Sequence, residues 1–396
     1  MNNNLSQSIP VAINAADDYD LKKLTGIISG QFDMLGIGNG FFSGKNVVIK
    51  PNLVMKKSPE HAITTSPVIL DAVLCILDKC GCRSVTIAES SGGPYTKQSL
   101  EAAYNVCRIR EIADKHGASL NYDTSYREIE FPEGKTVKSF NIITPIAEAD
   151  TVINLPRLKT HSLTGMSGAV KNFFGVIPGL QKFEMHARFP DYIDFASMLN
   201  DLAEFVAKRT PTVNILDAIV GMEGNGPTGG TPRKIGCILT SLNPFAADRI
   251  ANEIISAGEV LYVKESVKRG FAAADISDMN ILGDDYRKFA IDDFKRPDSK
   301  PRGTIAFLQN FIGGRIGAFF SPHPHISSRC IGCGECERSC PKKTISIKKI
   351  KGEKCVAHIN FDNCIRCFCC QELCPMKAID IKTNSIISFI NRARKS

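Results

Sequence analysis

The chain has 396 residues, 43% of them hydrophobic and 23% charged, which is more apolar material than a single core usually takes up. No run of about 18 uninterrupted apolar residues occurs, and the opening MNNNLSQSIP lacks a charged start followed by an apolar stretch, so neither a membrane span nor a secretory leader is expected. Fifteen cysteines without a secretory signal point to a reducing, cytoplasmic compartment, and the formal charge of +8 raises the question of nucleic acid, which the location of that charge answers below.

In chain order, five segments share one grammar: residues 45–54, 83–93, 150–161, 212–227 and 235–248 each begin with a β-branched run and end in polar or glycine-rich residues. Between the first two lies TSPVILDAVLCILDKCG, a helix with Thr65 or Ser66 as N-cap, Pro67 in its first turn and Gly81 as its stop, which makes a βαβ unit. Further amphipathic helices are expected at 98–116, 165–175, 192–208 and 245–257. The fold class is therefore α/β with a largely parallel sheet, in two lobes, over residues 1–320.

In open α/β sheets ligands bind beyond the carboxyl ends of the strands, where loops aim polar groups at one crevice. Those ends carry Lys50 and Asn52, then Glu89, Ser90 and Ser91, then Arg157, Lys159 and His161, and finally Asn225 and Asp248. The stretch RLKTHSLTGMSGAVKNFFGVIPG, residues 157–179, concentrates Arg157, Lys159, His161 and Lys171, with Thr164 placed to cap a helix whose dipole adds to the pull on an anion. A small carboxylate or phosphate is the expected substrate. Lys159, Lys171, His161 and Glu89 are the candidate catalytic groups, His161 as proton donor. Lys50, Asn52, Ser90, Ser91, Arg157, Asn225 and Asp248 are the candidate binding groups. The run Gly224-Asn-Gly-Pro-Thr-Gly229 satisfies G-x-G-x-x-G, but Pro227 and a following strand leave no helix N-terminus for a pyrophosphate, so its amides are expected to hold another anion or to let a substrate approach closely.

Residues 304–320 are apolar but interrupted by Gln309, Asn310 and Arg315, and read as a packing helix or hairpin. Residues 321–328, SPHPHISS, read as a linker. Then CIGCGECERSCP begins at Cys330 and CIRCFCCQELCP at Cys364, two copies of Cys-x2-Cys-x2-Cys-x3-Cys-Pro placed 34 positions apart. This spacing is the bacterial ferredoxin signature, in which each fourth cysteine serves the other cluster. Cys330, Cys333, Cys336 and Cys374 are expected to bind one [4Fe–4S] cluster, and Cys364, Cys367, Cys370 and Cys340 a second. Disulfide or zinc readings fit less well, since zinc sites rarely repeat a four-cysteine run with a trailing proline. Cys355 and Cys369 fall outside the ligand register and read as buried thiols. The duplication continues into PKKTISIK and PMKAIDIK, so residues 329–384 resemble a two-cluster ferredoxin domain, leaving 385–396 as a tail. From residue 327 to 383, eleven Lys and Arg face six Asp and Glu; the excess serves as counter-charge to the clusters, and nucleic acid is not an expected partner.

On the stretches VVIKPNLV, AESSGG, NLPRLKTHSLTGMSGAVKNFFGVIPG and DAIVGMEGNGPTGGTPRKIG with LNPFAAD, the first 320 residues resemble a bacterial and archaeal family of iron–sulfur-associated proteins catalogued as a domain of unknown function. The resemblance implies a shared α/β domain, often followed by a two-cluster module, and a more distant likeness to the lactate racemase fold. Together these features lead us to expect a cytoplasmic iron–sulfur oxidoreductase of low-oxygen conditions, taking single electrons from a donor protein to an anionic small molecule. The alternative is a non-catalytic electron carrier or metallocofactor maturation protein, with a partner protein in place of the small molecule.

Overall fold

The β-branched runs become strands because each can bury both of its faces inside a central sheet. The computed structural model describes residues 10–299, 322–350 and 354–382. Its first strands are β1 (Val11–Ala15), β2 (Asn46–Pro51), β3 (Ser84–Ile87), β4 (Ser119–Leu120), β5 (Tyr126–Glu130), β6 (Ser139–Ile143), β7 (Thr151–Leu155), β8 (Arg157–His161), β9 (Gly165–Ser167), β10 (Thr212–Glu223), β11 (Thr231–Ser241) and β12 (Ile281–Gly283). Among the described residues, ten of these form one sheet along the path β12-β1-β11-β10-β7-β2-β3-β4, with β8 on β10 and β9 on β8. The half that carries the site is parallel: β2 pairs with β3 and β7, and β10 with β7 and β8. β11 runs antiparallel to β1 and β10, and β5 and β6 form a separate hairpin.

Side chains alternate along each strand, so one sheet feeds two apolar layers. Val47 and Ile49 of β2 and Val213 and Ile215 of β10 enter one layer, while Val48, Leu216 and Ala218 enter the other. The two lobes expected from the sequence are thus two faces of one uninterrupted sheet. Ser66, not Thr65, caps the helix Pro67–Leu77 by accepting from the Val68 amide, while the Thr65 hydroxyl donates to the Leu155 carbonyl and ties the β2 loop to β7. Asp191 and Asn243 cap the helices Tyr192–Arg209 and Pro244–Ile254 in the same way.

Three expected elements differ. The helix expected at 98–116 is two helices, Lys97–Val106 and Ile109–His116, broken where Arg108 takes a left-handed φ of 59°. The run 150–161 is two strands, β7 and β8, because Pro156 cannot donate to a ladder. The helix expected at 165–175 shrinks to Ala169–Asn172, preceded by β9 and followed by a 3-10 turn, Phe173–Val176.

The C-terminal module consists of β13 (His323–Ile326) paired antiparallel with β16 (Ile379–Lys382), and β14 (Ile345–Lys349) with β15 (Cys355–Ile359). Residues 323–326, expected as linker, are therefore the module's first strand. The duplication is visible in the backbone: Gly332, Gly334 and Lys343 have positive φ, and so do Arg366, Phe368 and Lys377 at the matching places. The segments 304–320 and 385–396 lie outside the described residues. Among the described residues, no helix is long and apolar enough to cross a membrane.

Candidate functional site

The carboxyl ends of β2, β3 and β8 open toward the C-terminal module, and a cavity with about 640 Å³ of empty space lies between them. Of the expected residues, Asn52, Glu89, Ser90, Ser91, His161 and Lys171 line it. Lys182 and His186, four apart on one face of the helix Gln181–Arg188, also line it, as do Asn172 and, from the module, Cys369, Glu372 and Leu373. Sequence reasoning missed these. Its one available signal was a histidine and a lysine at helical spacing inside an otherwise charged, solvent-like helix.

The module is fastened at this seam. The Thr228 hydroxyl donates to the Glu372 carbonyl at 2.9 Å and the Gln371 amide to the Asn225 carbonyl at 3.1 Å, while Lys57 reaches the Pro375 carbonyl at 3.3 Å. Phe183 packs with Cys369 and Leu373. The glycine loop 224–229, expected to hold an anion or to let a substrate approach closely, docks the ferredoxin module. Gly229 leaves no room there: an added Cβ would stand 2.8 Å from the Gln371 amide nitrogen.

Other expected residues are turned to structural work. Arg157 donates to the carbonyls of Val220 and Thr64 and to the Tyr19 hydroxyl, and lies 3.7 Å from Asp217, so it braces β8 and is not among the cavity's lining residues. Asn225 is held by Asp298. Lys159 donates to Asn52 Oδ1 and the Ile63 carbonyl, and its burial, with Arg157 nearby, pulls its pKa down to about 7. Asp248 accepts from the amides of Ala169 and Val170 at 2.6 and 3.0 Å and from Tyr262 at 3.1 Å. The N-terminus of the short helix is therefore filled by Asp248, and Thr164, expected as its cap, donates to the Met166 carbonyl. Since this helix carries Lys171, Asp248→Ala is expected to lower stability by about 2–4 kcal/mol, because two buried amides lose their acceptor. Thermal denaturation beside Asp248→Asn, which keeps one carbonyl oxygen there, measures it; equal melting for Ala and wild type would contradict this role.

Glu89 lines the cavity and forms a 2.6 Å ion pair with Lys50, which is not among its lining residues; burial drives both toward their neutral forms, against their mutual attraction. Lys182 donates to Ser90 Oγ and the Ser91 carbonyl, and burial, opposed by Glu89, brings its pKa down to about 7. Lys171 is 8% exposed and its ammonium lies 4.3 Å from the centre of the Phe174 ring. No hydrogen bond satisfies that ammonium among the described residues. His161 Nδ1 accepts from the amides of Leu163 and Thr164, so a neutral ring carries its proton on Nε2, 3.3 Å from Glu372 Oε1. Burial, then Lys171, His186 and Lys159, hold His161 well below the usual imidazole range, so the proton donor expected from its ordinary pKa is here a neutral imidazole. The Oδ1 of Asn172 and Oε1 of Glu372 are buried acceptors without a hydrogen bond. A hollow with an ammonium that faces Glu372 but is satisfied by no hydrogen bond among the described residues suits a small anion that also brings a donor.

Two smaller hollows lie inside the module. One, of about 340 Å³, is lined by Cys330, Cys333, Cys336 and Cys374, and the other, of about 350 Å³, by Cys340, Cys364, Cys367 and Cys370. Each is otherwise walled largely by apolar and backbone atoms, such as Ile347 and Met376 in the first and Ile345 and Ile359 in the second. Four thiols around an apolar hollow are the donor set a cubane requires, and the residues present fit such a group. Asp71, Cys75 and His116 also lie within 4.8 Å of one another, but both His116 nitrogens are taken by Asp71 and Asp78, and Lys115 closes the network.

The sheet, its strand-end hollow and the paired cysteine quartets define an α/β protein carrying an iron–sulfur module. Residues 47–253 match the family described as Domain of unknown function (DUF362), and residues 329–378 match the 4Fe-4S dicluster domain. The chain belongs to the DUF362 family and ends in a 4Fe-4S dicluster ferredoxin domain. A thylakoid-associated protein of Synechocystis sp. is 31% identical over 254 residues, 62% of this chain and 74% of that protein. Among solved structures, the lactate racemase apoprotein of Thermoanaerobacterium thermosaccharolyticum aligns at TM-score 0.38 and 14% identity, covering 64% of this chain and 58% of that one. A Thermotoga maritima protein aligns at 0.37 and 11%, covering 65% and 60%. The chain thus spans under two thirds of either solved neighbour.

Proposed function

We propose that this protein is an iron–sulfur oxidoreductase that takes single electrons from a donor protein and delivers them to a small anionic substrate in the cavity at the strand ends. In this reading Cys330, Cys333, Cys336 and Cys374 hold one [4Fe–4S] cluster, and Cys340, Cys364, Cys367 and Cys370 the other. The observation that carries it is that Cys369 and Glu372, set between Cys367 and Cys374, line the same hollow as Lys171 and Lys182. When bound, the clusters supply electrons one at a time. Lys171 and Lys182 neutralise the anion, Lys50 holds Glu89 in place beneath it, and His161 keeps its Nε2 proton aimed at the hollow. Phe174, Phe183 and Leu373 keep bulk water from the seam, which strengthens each of those charges. No disulfide joins any of the fifteen cysteines, which supports a reducing compartment such as the cytoplasm.

The test is to reduce the protein under anaerobic conditions, add inorganic phosphate and short carboxylates one by one, and follow visible absorbance. A member of the panel is expected to reoxidise the protein. Iron-replete protein that no anion reoxidises, but that a partner protein does, would favour the non-catalytic carrier. A second expectation concerns pH. Lys182 titrates near 7 and attracts an anion only while protonated, so affinity falls as pH rises through about 7. The charged groups facing it are Glu89, Lys50 and Lys171, which all act on Lys182 through space. Calorimetric titration between about pH 6 and 8 reads this; an affinity that rises with pH rules out Lys182 as the anion's partner.

A further inference from the structure

The duplication offers an internal control, because every position of the first cysteine run has a counterpart 34 residues on. Backbone donors to the fourth cysteines match: the Thr344 amide donates to Cys340 Sγ at 3.3 Å, and the Ala378 amide to Cys374 Sγ at 3.2 Å, while the Cys374 site has one more, longer backbone donor, the Ala357 amide 3.4 Å from Cys330 Sγ. Side-chain donors do not match. The Thr344 hydroxyl stands 3.3 Å from Cys340 Sγ, and since a thiolate bound to iron has no proton, the hydroxyl must donate. Its counterpart Ala378 has nothing to donate. Cys369, outside the ligand register and 2% exposed, packs against Cys367 and brings a thiol beside it, where the counterpart of Cys369 is Glu335, an acceptor engaged with Arg338. Surroundings differ too: Cys333 is exposed, beside Ile331 at 59% and Met376 at 44% exposure, while its counterpart Cys367 is half-buried and packs against the cavity-lining Cys369; Cys336 and Cys370 are both buried.

We propose that Thr344 and Cys369 raise the reduction potential of the Cys340–Cys364–Cys367–Cys370 site above that of the Cys330–Cys333–Cys336–Cys374 site. Electrons are then taken in at the exposed site from a one-electron carrier and come to rest beside the cavity. This rests on the reading above that both quartets hold clusters. Hydrogen bonds to ligand sulfur stabilise the added negative charge of the reduced state, and their number, with exposure and charge, sets the potential. Burial and Glu372 act the other way at the inner site, but Glu372 faces Lys171, which offsets it. In each transfer the carrier loses one electron and the exposed site gains it, then the exposed site loses it to the inner one, with no bond made or broken.

The experiment is a potentiometric titration followed by electron paramagnetic resonance on the full-length, iron-replete protein and on Thr344→Val, Thr344→Ser and Cys369→Ala. Wild type is expected to show two separable potentials. Valine at 344 and alanine at 369 should each lower the higher one by about tenfold in its reduction equilibrium, ~59 mV for one electron, while Thr344→Ser, which restores the hydroxyl, leaves it in place. Iron content and both resonance signals report intact sites in every variant. A shift confined to the lower potential, no shift in either variant, or wild-type potentials that coincide would overturn the proposal. No substrate is present, so the outcome is independent of whether any anion reoxidises the protein, and either reading can fail alone.

Discussion

Replacing Lys171 with methionine is expected to weaken anion binding by about 10- to 100-fold while leaving the fold as stable as before or slightly more stable. Methionine matches the length of the lysine stem and keeps the packing on Phe174 and Phe195, so only the charge is removed. That charge is almost fully buried and hydrogen-bonded to nothing among the described residues, an arrangement that costs free energy in the empty protein. It is repaid only when an anion arrives, and a charge-assisted hydrogen bond contributes about 1.5–3 kcal/mol. Calorimetry with inorganic phosphate and short carboxylates reads the affinity, and thermal denaturation reads the stability. A variant that loses stability but keeps its affinity would show Lys171 to be a packing residue, and the cavity would lose its principal claim on an anion.

Cys340→Ala is expected to empty the site of the second cysteine run, not the site of its own. Its sulfur lines the hollow of Cys364, Cys367 and Cys370, and Cys374 lines that of Cys330, Cys333 and Cys336. Cys340→Ala and Cys367→Ala should therefore share one phenotype, with iron content halved and the inner signal lost, and Cys374→Ala and Cys333→Ala another, with the outer signal lost. Anion-driven reoxidation should fall most in the first pair, since Cys369, which adjoins Cys370, lines the cavity, while the remaining site reaches it only through Glu372 and Leu373 beside Cys374. Iron analysis and electron paramagnetic resonance distinguish the pairs. Should Cys340→Ala resemble Cys333→Ala instead, the interleaving of the two runs would be wrong, and with it the placing of the inner site next to Glu372.

The strand-end locus was legible because a parallel sheet places successive loops at one edge whatever their distance in sequence. This is why Asn52, Glu89, Ser90, Ser91, His161 and Lys171 meet around one hollow. Which basic groups face it was not legible. Arg157 and Lys171 are both cationic residues near the end of an apolar run, yet Arg157 finds Tyr19, Thr64 and Val220 within reach and is used up, while Lys171 finds aromatic rings and the charge of Glu372 but no hydrogen-bond acceptor among the described residues. Lys182 and His186 were obscured because their helix reads as solvent-exposed; its burial is imposed by the β3 loop on one side and by the module on the other.

By itself the sequence determined what depends on near neighbours: β-branched strands, a capped start for the helix Pro67–Leu77, and two cysteine runs whose spacing gathers three sulfurs of each quartet through local backbone geometry, the fourth coming from the other run. Only the tertiary structure decided what depends on encounters between distant segments. Asp248 fills a helix N-terminus 79 residues before it, Glu372 enters a cavity built from strands that end more than 200 residues earlier, and a glycine loop becomes the seat of another domain. Local patterns specify conformation because steric and hydrogen-bonding limits act within a few residues. Whether a charge is spent on structure or left open to a ligand is settled by desolvation and by which partners come within about 3 Å, and these exist only after the chain has closed on itself.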